Sequence, residues 1–293
     1  MVLSVEDAPV DAPSIMATSL HQWLVSRMLN WMPTGRSFFK HAKETREEGK
    51  KRYEKIADAM IRVVYDPVER PLFGGKYGRA KTLALVASMS WFESGWRKDV
   101  DLGLGSFGIG DQGQSWCMMQ ILLGRKQLDG KSKNRITLTE DYYTLLTSPR
   151  NRVVGWGGED LVKDRVACFR TGLHLARRSF HGCRNYHVRD RLGIYGSGGC
   201  IKNWTPSRIR VKKAQKWLSI EKPPLTDKEA MALLHPPESQ KPLPDVPGNK
   251  EDPVAMLPRT GSVGFMGSFR TVSFGGPFRI FPEGFSCGMV VEP

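Results

Sequence analysis

The sequence has no long apolar run and lacks an export signal at its start. In this chain of 293 residues, no segment approaches the roughly 18 consecutive apolar residues that a membrane-spanning helix needs. The opening, MVLSVEDAPVDAP, carries acidic side chains where a secretory signal peptide has positive charge followed by an apolar block. We therefore expect neither a membrane span nor a Sec-type signal peptide.

Cysteine is scarce, and its spacing follows no recognised pattern. Five cysteines, an odd number, occur without a close pair, at positions 117, 168, 183, 200 and 287. This spacing argues against a CxxC metal site and against a full disulfide framework. We favour the interpretation that these cysteines are small buried thiols or thiols without a chemical role. Cys168, Cys183 and Cys200 could still pair if the protein reaches the outside of a cell.

Motifs for metal and nucleotide binding are also missing. The histidines include His174, His181 and His187, whose spacing lacks the i, i+4 pair and the acidic ligands typical of a zinc site. The GSGG stretch at 196–199 is not followed by the GK[ST] of a phosphate-binding loop. We expect no metal ion, no nucleotide and no other cofactor.

Positive charge is what the sequence has in excess. Lysine and arginine total 44 against 30 acidic residues, which gives a net charge of +14 and a pI near 9.7. Such a charge predicts attraction to polyanions, whether nucleic acid, anionic lipid or the acidic polymers of a bacterial envelope. The basic residues are scattered, densest in RIRVKKAQK at 208–216, without zinc-finger or RNP-like motifs. We interpret the charge as non-specific adhesion and expect no specific nucleic-acid partner.

Apolar residues recur at helical spacing in several segments, which predicts a mainly α fold with one core. The composition changes to proline-rich after residue 221 and to alternating Phe, Gly and Ser near the end. Proline prevents a continuous helix there, and spaced Phe residues suit short strands docked on something larger. We divide the chain into an N-terminal extension with an amphipathic helix (1–49), a helical main domain (50–220), a proline-rich linker (221–259) and a Phe/Gly-rich tail (260–293).

One carboxylate stands out in the apolar stretch ALVASMSWFESGW, residues 84–96. On a helix, Glu93 shares a face with Val86 and Ser90 and lies close to the C-terminal end. Burial and the negative end of a helix both raise the pKa of a carboxyl group. A protonated Glu can give its proton to a leaving oxygen, as the general acid of glycoside cleavage does. The alternative is a Glu at a frayed helix end, bonded to a backbone amide.

The residues that follow Glu93 add a pattern of their own. The segment 92–124, FESGWRKDVDLGLGSFGIGDQGQSWCMMQILLG, contains a Glu-Ser pair, a loop serine and a Met-Gln element in that order. It resembles the catalytic stretch of the SLT-type lytic transglycosylases and goose-type lysozymes of the lysozyme superfamily. The later stretch RLGIYGSGGC resembles the Tyr-x-x-Gly element of the same family and contains Tyr195. The resemblance covers residues 50–220.

The resemblance implies a mainly α, lysozyme-like (α+β) catalytic domain that cleaves the β-1,4 bond between N-acetylmuramic acid and N-acetylglucosamine in peptidoglycan. Glu93 would be the catalytic acid. The substrate-binding residues would be Ser94, Ser115, Met119, Gln120 and Tyr195. The sequence departs from the family where Trp116, Cys117 and Met118 replace a small residue, which would reshape the groove.

The loop between Glu93 and Ser115 bears on the product, because it adds Asp99, Asp101 and Asp111. Without a second carboxylate to hold water, the C6 hydroxyl of the muramic acid attacks, and a 1,6-anhydro ring forms, as the resemblance implies for transglycosylases. A carboxylate that positions water would give hydrolysis instead. Asp99 and Asp111 are the candidates, although both contexts are also typical of turn caps and solvated charges. Because the loop is glycine-rich and not expected to be fixed, we predict the anhydro product.

Two other classes of function stay open. The chain could be a non-catalytic structural or assembly protein of a phage, in which the lysozyme-like domain only docks and the C-terminal tail contacts particle proteins. A nucleic-acid binder ranks third, on charge alone. For the enzyme, the missing signal peptide, the appended helix and the tail favour a phage-borne protein that acts on the bacterial cell wall, delivered by a particle or released at lysis.

Overall fold

The computed structural model describes residues 18–32, 44–104, 109–138, 145–151 and 155–235. The chain divides into two units, Met1–Pro242 and Leu243–Pro293. The second unit, and with it the predicted Phe/Gly-rich tail and most of the predicted linker, lies outside the described residues.

Helices make up most of the described structure, which confirms the mainly α prediction. They are α1 Ser19–Leu29, α2 Arg46–Val64, α3 Gly78–Ser94, α4 Lys98–Asp101, α5 Gly158–Lys163, α6 Arg165–Gly182, α7 Gly193–Ser197, α8 Thr205–Ile220 and α9 Asp227–Leu234, with a 3-10 turn at Val188–Asp190. No described helix combines the length and the apolar character needed to cross a bilayer.

The strands are short and lie between α4 and α5. They are β1 Ser115–Trp116, β2 Ile121–Leu122, β3 Asn134–Leu138, β4 Leu145–Pro149 and β5 Trp156–Gly157. In the described part of the chain they form an antiparallel β1–β2 hairpin and a three-stranded antiparallel sheet in the order β4-β3-β5. The hairpin carries three of the predicted site residues, Ser115, Met119 and Gln120.

Helix α3 forms the centre of the core. Its side chains from Leu83 to Ser90 are all buried, so it has no solvent-facing stripe over these residues. Helices α2 and α8 pack along it, and α6 packs on α2. The helix ends at Gly95, whose left-handed φ of 58° closes the last turn and places Glu93 at the edge of the core.

Helix α1 belongs to this core and is not an extension outside it. Leu20, Leu24 and Met28 are fully buried, and α1 packs against α2. The boundary predicted near residue 50 falls inside α2, which starts at Arg46 after a capping box formed by Thr45. The apolar face of α1 is thus covered by α2, across the boundary that the sequence placed near residue 50.

The predicted linker also begins with ordered structure. Prolines flank α9, while Thr226 starts the helix with a capping box. The Asp227 carboxylate accepts hydrogen bonds from the backbone N–H groups of Arg79 (2.8 Å) and Ala80 (3.4 Å) at the start of α3. The core therefore continues past residue 220, where the sequence placed its end.

Four of the five cysteines form disulfides, which corrects the prediction of idle thiols. Cys117 pairs with Cys168, and Cys183 pairs with Cys200, with Cα separations of 6.2 and 5.5 Å. Their sequence separations of 51 and 17 residues form no local motif, so only the fold brings the partners together. The fifth cysteine lies outside the described residues.

Candidate functional site

Four elements meet around the Glu93 carboxyl group: the end of α3, the first half of α8, the segment leading into β1, and α7. We call the group of Glu93, Asp111, Ser115, Tyr195 and Arg210 the Glu93 site. Helix α8 brings Arg210 to Glu93, and the charges of Glu93 and Asp111 lie close enough to interact. Tyr195, on α7, also lies close enough to Glu93 for the charge of Glu93 to affect the pKa of its hydroxyl group.

Glu93 is a largely buried carboxylate with a charged partner. Its side chain is 15% exposed, and the Arg210 side chain is 9% exposed. The Arg210 Nη2 donates a hydrogen bond of 2.6 Å to Glu93 Oε1. Burial raises the pKa of Glu93, the positive charge of Arg210 opposes the rise, and the negative charge of Asp111 adds to it, so the pKa lies above its usual value.

Arg210 was missed by the sequence analysis, which assigned the basic run 208–216 to adhesion. Its guanidinium also donates to the Pro206 carbonyl (2.8 Å), and its Cζ lies 5.5 Å from the centre of the Phe92 ring. A usable signal existed, because Arg210 shares the helical stripe of Ala214 and Trp217, which are buried. An arginine on an apolar stripe requires an acidic partner.

Asp111 lies in a short turn, Gly110–Gly113, with an unusual backbone. Asp111 and Gln112 both have left-handed conformations, with φ of 50° and 59°, which non-glycine residues adopt only when their surroundings enforce it. The Ser115 hydroxyl donates a 2.5 Å hydrogen bond to Asp111 Oδ2. Backbone bonds from Gln114 to Gly110 and from Lys126 to Gly113, each 2.9 Å, close the turn. The structure thus fixes Asp111, which the sequence analysis expected to be loose.

Ser115 and Gln120 support this turn from the hairpin. Ser115 is 1% exposed, so its hydroxyl serves Asp111 and is not accessible to a ligand from solvent. Gln120 donates from Nε2 to the Cys117 carbonyl at 2.9 Å. Its Oε1 lies against Gly110, where a Cβ would come within 1.9 Å. Ser115 therefore holds the Asp111 carboxylate, and Gln120 packs against the turn that carries Asp111.

Met119 and Tyr195 join the hairpin to α7. The Met119 side chain is 1% exposed and packs on Gly172, where a Cβ would come within 2.4 Å of its Cε. Its carbonyl accepts a 2.7 Å hydrogen bond from the Tyr195 hydroxyl. Burial, and secondarily the charge of Glu93, raise the pKa of Tyr195 well above its usual value, so the phenol stays neutral. The structure assigns the Met119 side chain to the core and not to substrate contact.

Ser94 and Asp99, two of the predicted site residues, have other roles. The Ser94 hydroxyl donates to the Ser90 carbonyl (2.7 Å) and accepts from the Trp96 N–H (3.2 Å), which closes the end of α3. Asp99 forms an ion pair with Arg97 at the start of α4. This agrees with the alternative interpretation of Asp99 as a turn or surface charge. Neither side chain has a described contact with Glu93, and we remove both from the site.

Asp101, the third loop aspartate, is a structural ion pair. It is 3% exposed and accepts two hydrogen bonds of 2.8 Å from Arg165. Asp111 is therefore the one predicted loop aspartate near Glu93. Across the described ranges, no three His, Cys, Asp or Glu side chains gather where they could hold a metal ion.

The arrangement suits proton transfer at a partly exposed carboxyl group. Glu93 combines a raised pKa with a remaining exposed edge, which is what a general acid near neutral pH requires. Asp111 is exposed, is held by the Ser115 hydroxyl, and lies close enough to Glu93 for its charge to act on it. Comparison of the chain with protein-family models, with curated proteins and with solved structures finds no match.

Proposed function

We propose that this protein is a peptidoglycan-cleaving enzyme that acts on the β-1,4 bond between N-acetylmuramic acid and N-acetylglucosamine, with Glu93 as the acid. The observation that carries the proposal is the Glu93 carboxyl, largely buried at a helix end with a raised pKa. The motif order from Glu93 to Tyr195 and its resemblance to the SLT-type and goose-type enzymes support it. The lysozyme-like assignment of the fold belongs to this proposal.

The bond cleavage needs one proton donor at the leaving oxygen. Glu93 gives its proton to the glycosidic oxygen, and the C1–O bond breaks with its electron pair going to that oxygen, which leaves as the C4 hydroxyl of N-acetylglucosamine. The muramic acid C1 becomes an oxocarbenium-like centre. Its own C6 hydroxyl oxygen attacks C1 and passes its proton to the Glu93 carboxylate. No water is consumed, and the acid is restored.

Hydrolysis is the second candidate reaction, and Asp111 is the observation that favours it. The anhydro product was predicted on the premise that the aspartate-bearing loop is not fixed. The hydrogen bonds of Ser115 and of the turn Gly110–Gly113 remove that premise for Asp111. An exposed carboxylate near the acid could hold a water that attacks C1 in place of the C6 hydroxyl.

The setting of this activity follows from charge and disulfides. A net charge of +14 favours binding to anionic envelope polymers. Two disulfides suit an oxidising compartment, where peptidoglycan is located. Peptidoglycan glycan strands are the proposed partner. Delivery by a phage particle, with the C-terminal tail contacting particle proteins, and a purely structural role in such a particle remain proposals about residues outside the described structure.

Turbidity of purified cell-wall sacculi tests the function. Glu93→Gln keeps the shape of the side chain but cannot donate a proton, so we expect clearing to fall by at least ~100-fold. Glu47→Gln, at an exposed glutamate in the first turn of α2, is the matched control and should clear normally. Clearing by Glu93→Gln above a tenth of the unmodified rate would exclude Glu93 as the acid.

Mass spectrometry of the released muropeptides separates the two products. The 1,6-anhydro ends of the transglycosylase reaction are lighter by one water and resist borohydride reduction. Reducing muramic ends that disappear in Asp111→Asn would establish the hydrolytic reaction and leave the role of Glu93 unchanged. Absence of any clearing by the unmodified protein would favour the non-catalytic class.

A further inference from the structure

Arg210 is held by several hydrogen bonds beside Glu93, and the proposed mechanism has not used it. Its guanidinium donates to Glu93 Oε1 at 2.6 Å and to the Pro206 carbonyl at 2.8 Å. Its own carbonyl accepts a 2.8 Å hydrogen bond from the Ser88 hydroxyl on α3. The residue is 7% exposed. Side chain and backbone are thus both tied to their surroundings, so the guanidinium has little freedom to leave Glu93.

The hydrogen bond from Arg210 makes the two oxygens of the Glu93 carboxyl group inequivalent. Among the described residues, only Arg210 donates a hydrogen bond to Glu93, and it reaches Oε1. Oε2 is therefore the oxygen left open to a substrate. A proton on Oε2 is compatible with the Arg210 contact, because Oε1 still accepts from the guanidinium in both protonation states.

We propose that Arg210 is the positioning residue of the Glu93 site: it holds Oε1 so that Oε2 faces the glycosidic oxygen, and it stabilises the carboxylate left after the proton is given up. The inference rests on the proposed function. It assigns Arg210 no contact with the substrate, since Nη2 donates to Glu93, Nη1 donates to the Pro206 carbonyl, and the Nε atom is buried without a hydrogen-bond partner among the described residues. A charge-assisted hydrogen bond to the carboxylate is stronger than one to the neutral acid, so the contact favours proton release.

The charged and titratable groups that face Glu93 set the expected pH dependence. They are Arg210 from α8, Asp111 from the turn before β1 and Tyr195 from α7. Arg210 supplies the positive charge among them, and it lowers a pKa that burial and Asp111 raise. Removing that charge raises the pKa of Glu93 further. The acid form then persists to higher pH, so the upper limb of the activity profile moves up.

The test compares three arginine variants. Arg210→Met should move the upper limb of the pH–lysis profile upward by at least about one unit and reduce lysis at neutral pH by about tenfold or more. Arg210→Lys keeps the positive charge but loses the planar guanidinium group. We therefore expect its pH–lysis profile to stay near that of the unmodified protein and its lysis rate to exceed that of Arg210→Met. Arg208→Met removes a 41% exposed arginine of the same helix, paired with Asp190, and should leave the profile unchanged.

A second readout keeps this proposal separate from the proposed function. Carbon-13 NMR follows the titration of the Glu93 carboxyl, whose signal is assigned by its loss in Glu93→Gln. A rise of the titration midpoint in Arg210→Met supports the proposal, even if the unmodified protein shows no lysis and the proposed function fails. If Arg210→Met folds and loses activity while neither the titration nor the pH limb moves, Arg210 is merely structural and the proposal is overturned. If Arg210→Met does not fold, the pH–lysis profile and the Glu93 titration are measured on Arg210→Lys instead. This variant keeps the positive charge, so both should stay close to those of the unmodified protein. A displacement of one pH unit in either would contradict the role proposed for the charge.

Discussion

Each side chain that surrounds the Glu93 carboxyl group is held in place by a hydrogen bond with a neighbouring residue. Ser115 holds Asp111, the Met119 carbonyl holds the Tyr195 hydroxyl, and the Pro206 carbonyl holds Arg210. In the proposed enzyme, a site held in this way would be organised before a substrate arrives, which lowers the free-energy cost of reaching a reactive geometry. Substitutions of the supporting residues should therefore change stability at least as much as rate.

Tyr195→Phe tests this distinction. The change leaves the Met119 carbonyl without the 2.7 Å hydrogen bond it accepts from the phenol, and an unpaired buried carbonyl costs about 1–3 kcal/mol. We expect a lower melting temperature and a loss of clearing of less than about tenfold, since Glu93 still donates the proton, whereas loss of the donor costs ~100-fold. The control is Tyr186→Phe, because the Tyr186 hydroxyl bonds to no described residue. A loss as large as that of Glu93→Gln would instead place Tyr195 in the chemistry.

Glu93 itself could be predicted from the sequence, but its environment could not. Its place at the end of an apolar helix follows from local periodicity and from Gly95 as the residue after the helix. Arg210 is 117 residues away, and no local pattern specifies which acid a buried arginine meets. The pKa of Glu93 depends on that contact, so the sequence predicted its upward direction and missed the opposing charge.

Among the elements, the β1–β2 hairpin carries Ser115, which holds Asp111 in the Glu93 site. It is attached at three points: the Cys117–Cys168 disulfide to α6, the Met119 carbonyl to α7, and Trp116 against the start of α5, where Gly158 lies under the indole ring. From the sequence, Trp116 and Cys117 were expected to reshape the groove. Their role in attaching the hairpin was not predicted, because their partners are distant in sequence. Both are buried attachments instead.

Gly158→Ala should disturb this hairpin selectively. A Cβ at Gly158 would come within 1.9 Å of Trp116 Cδ2, and a buried indole that also donates to the Gly124 carbonyl has little room to move. Overpacking of this kind costs about 1–3 kcal/mol. We expect a lower melting temperature together with reduced clearing. Gly74→Ala is the control, since no atom lies within 4 Å of its Cβ position; equal behaviour of the two variants would mean that the hairpin adjusts freely.

For the whole molecule, the two ends of α3 link distant parts of the chain. Its C-terminal end carries Glu93, and its N-terminal end has no cap from its own N-cap side chain. Asp227 supplies that cap from α9, where a negative charge also interacts favourably with the helix dipole. The capping box at Thr226 is a recognisable sequence signal for a helix start. The proline-rich composition of 221–259 nevertheless led to the prediction of a linker without this helix.

Two shortened chains measure what α9 contributes to the fold that carries Glu93. A chain ending at residue 221 and one ending at residue 235 both lack 236–293, so the pair differs by α9 and its connection alone. The longer form keeps the Asp227 cap, worth about 0.5–2 kcal/mol, and the buried Ala230. We therefore expect it to melt several degrees higher and to clear sacculi faster at elevated temperature. Asp227→Ala in the longer form should produce part of this loss, because it removes the cap and leaves the apolar contacts of α9 in place. Equal melting of the two shortened chains would show that the core closes at residue 220, as composition alone suggested, and that α9 only rests on it.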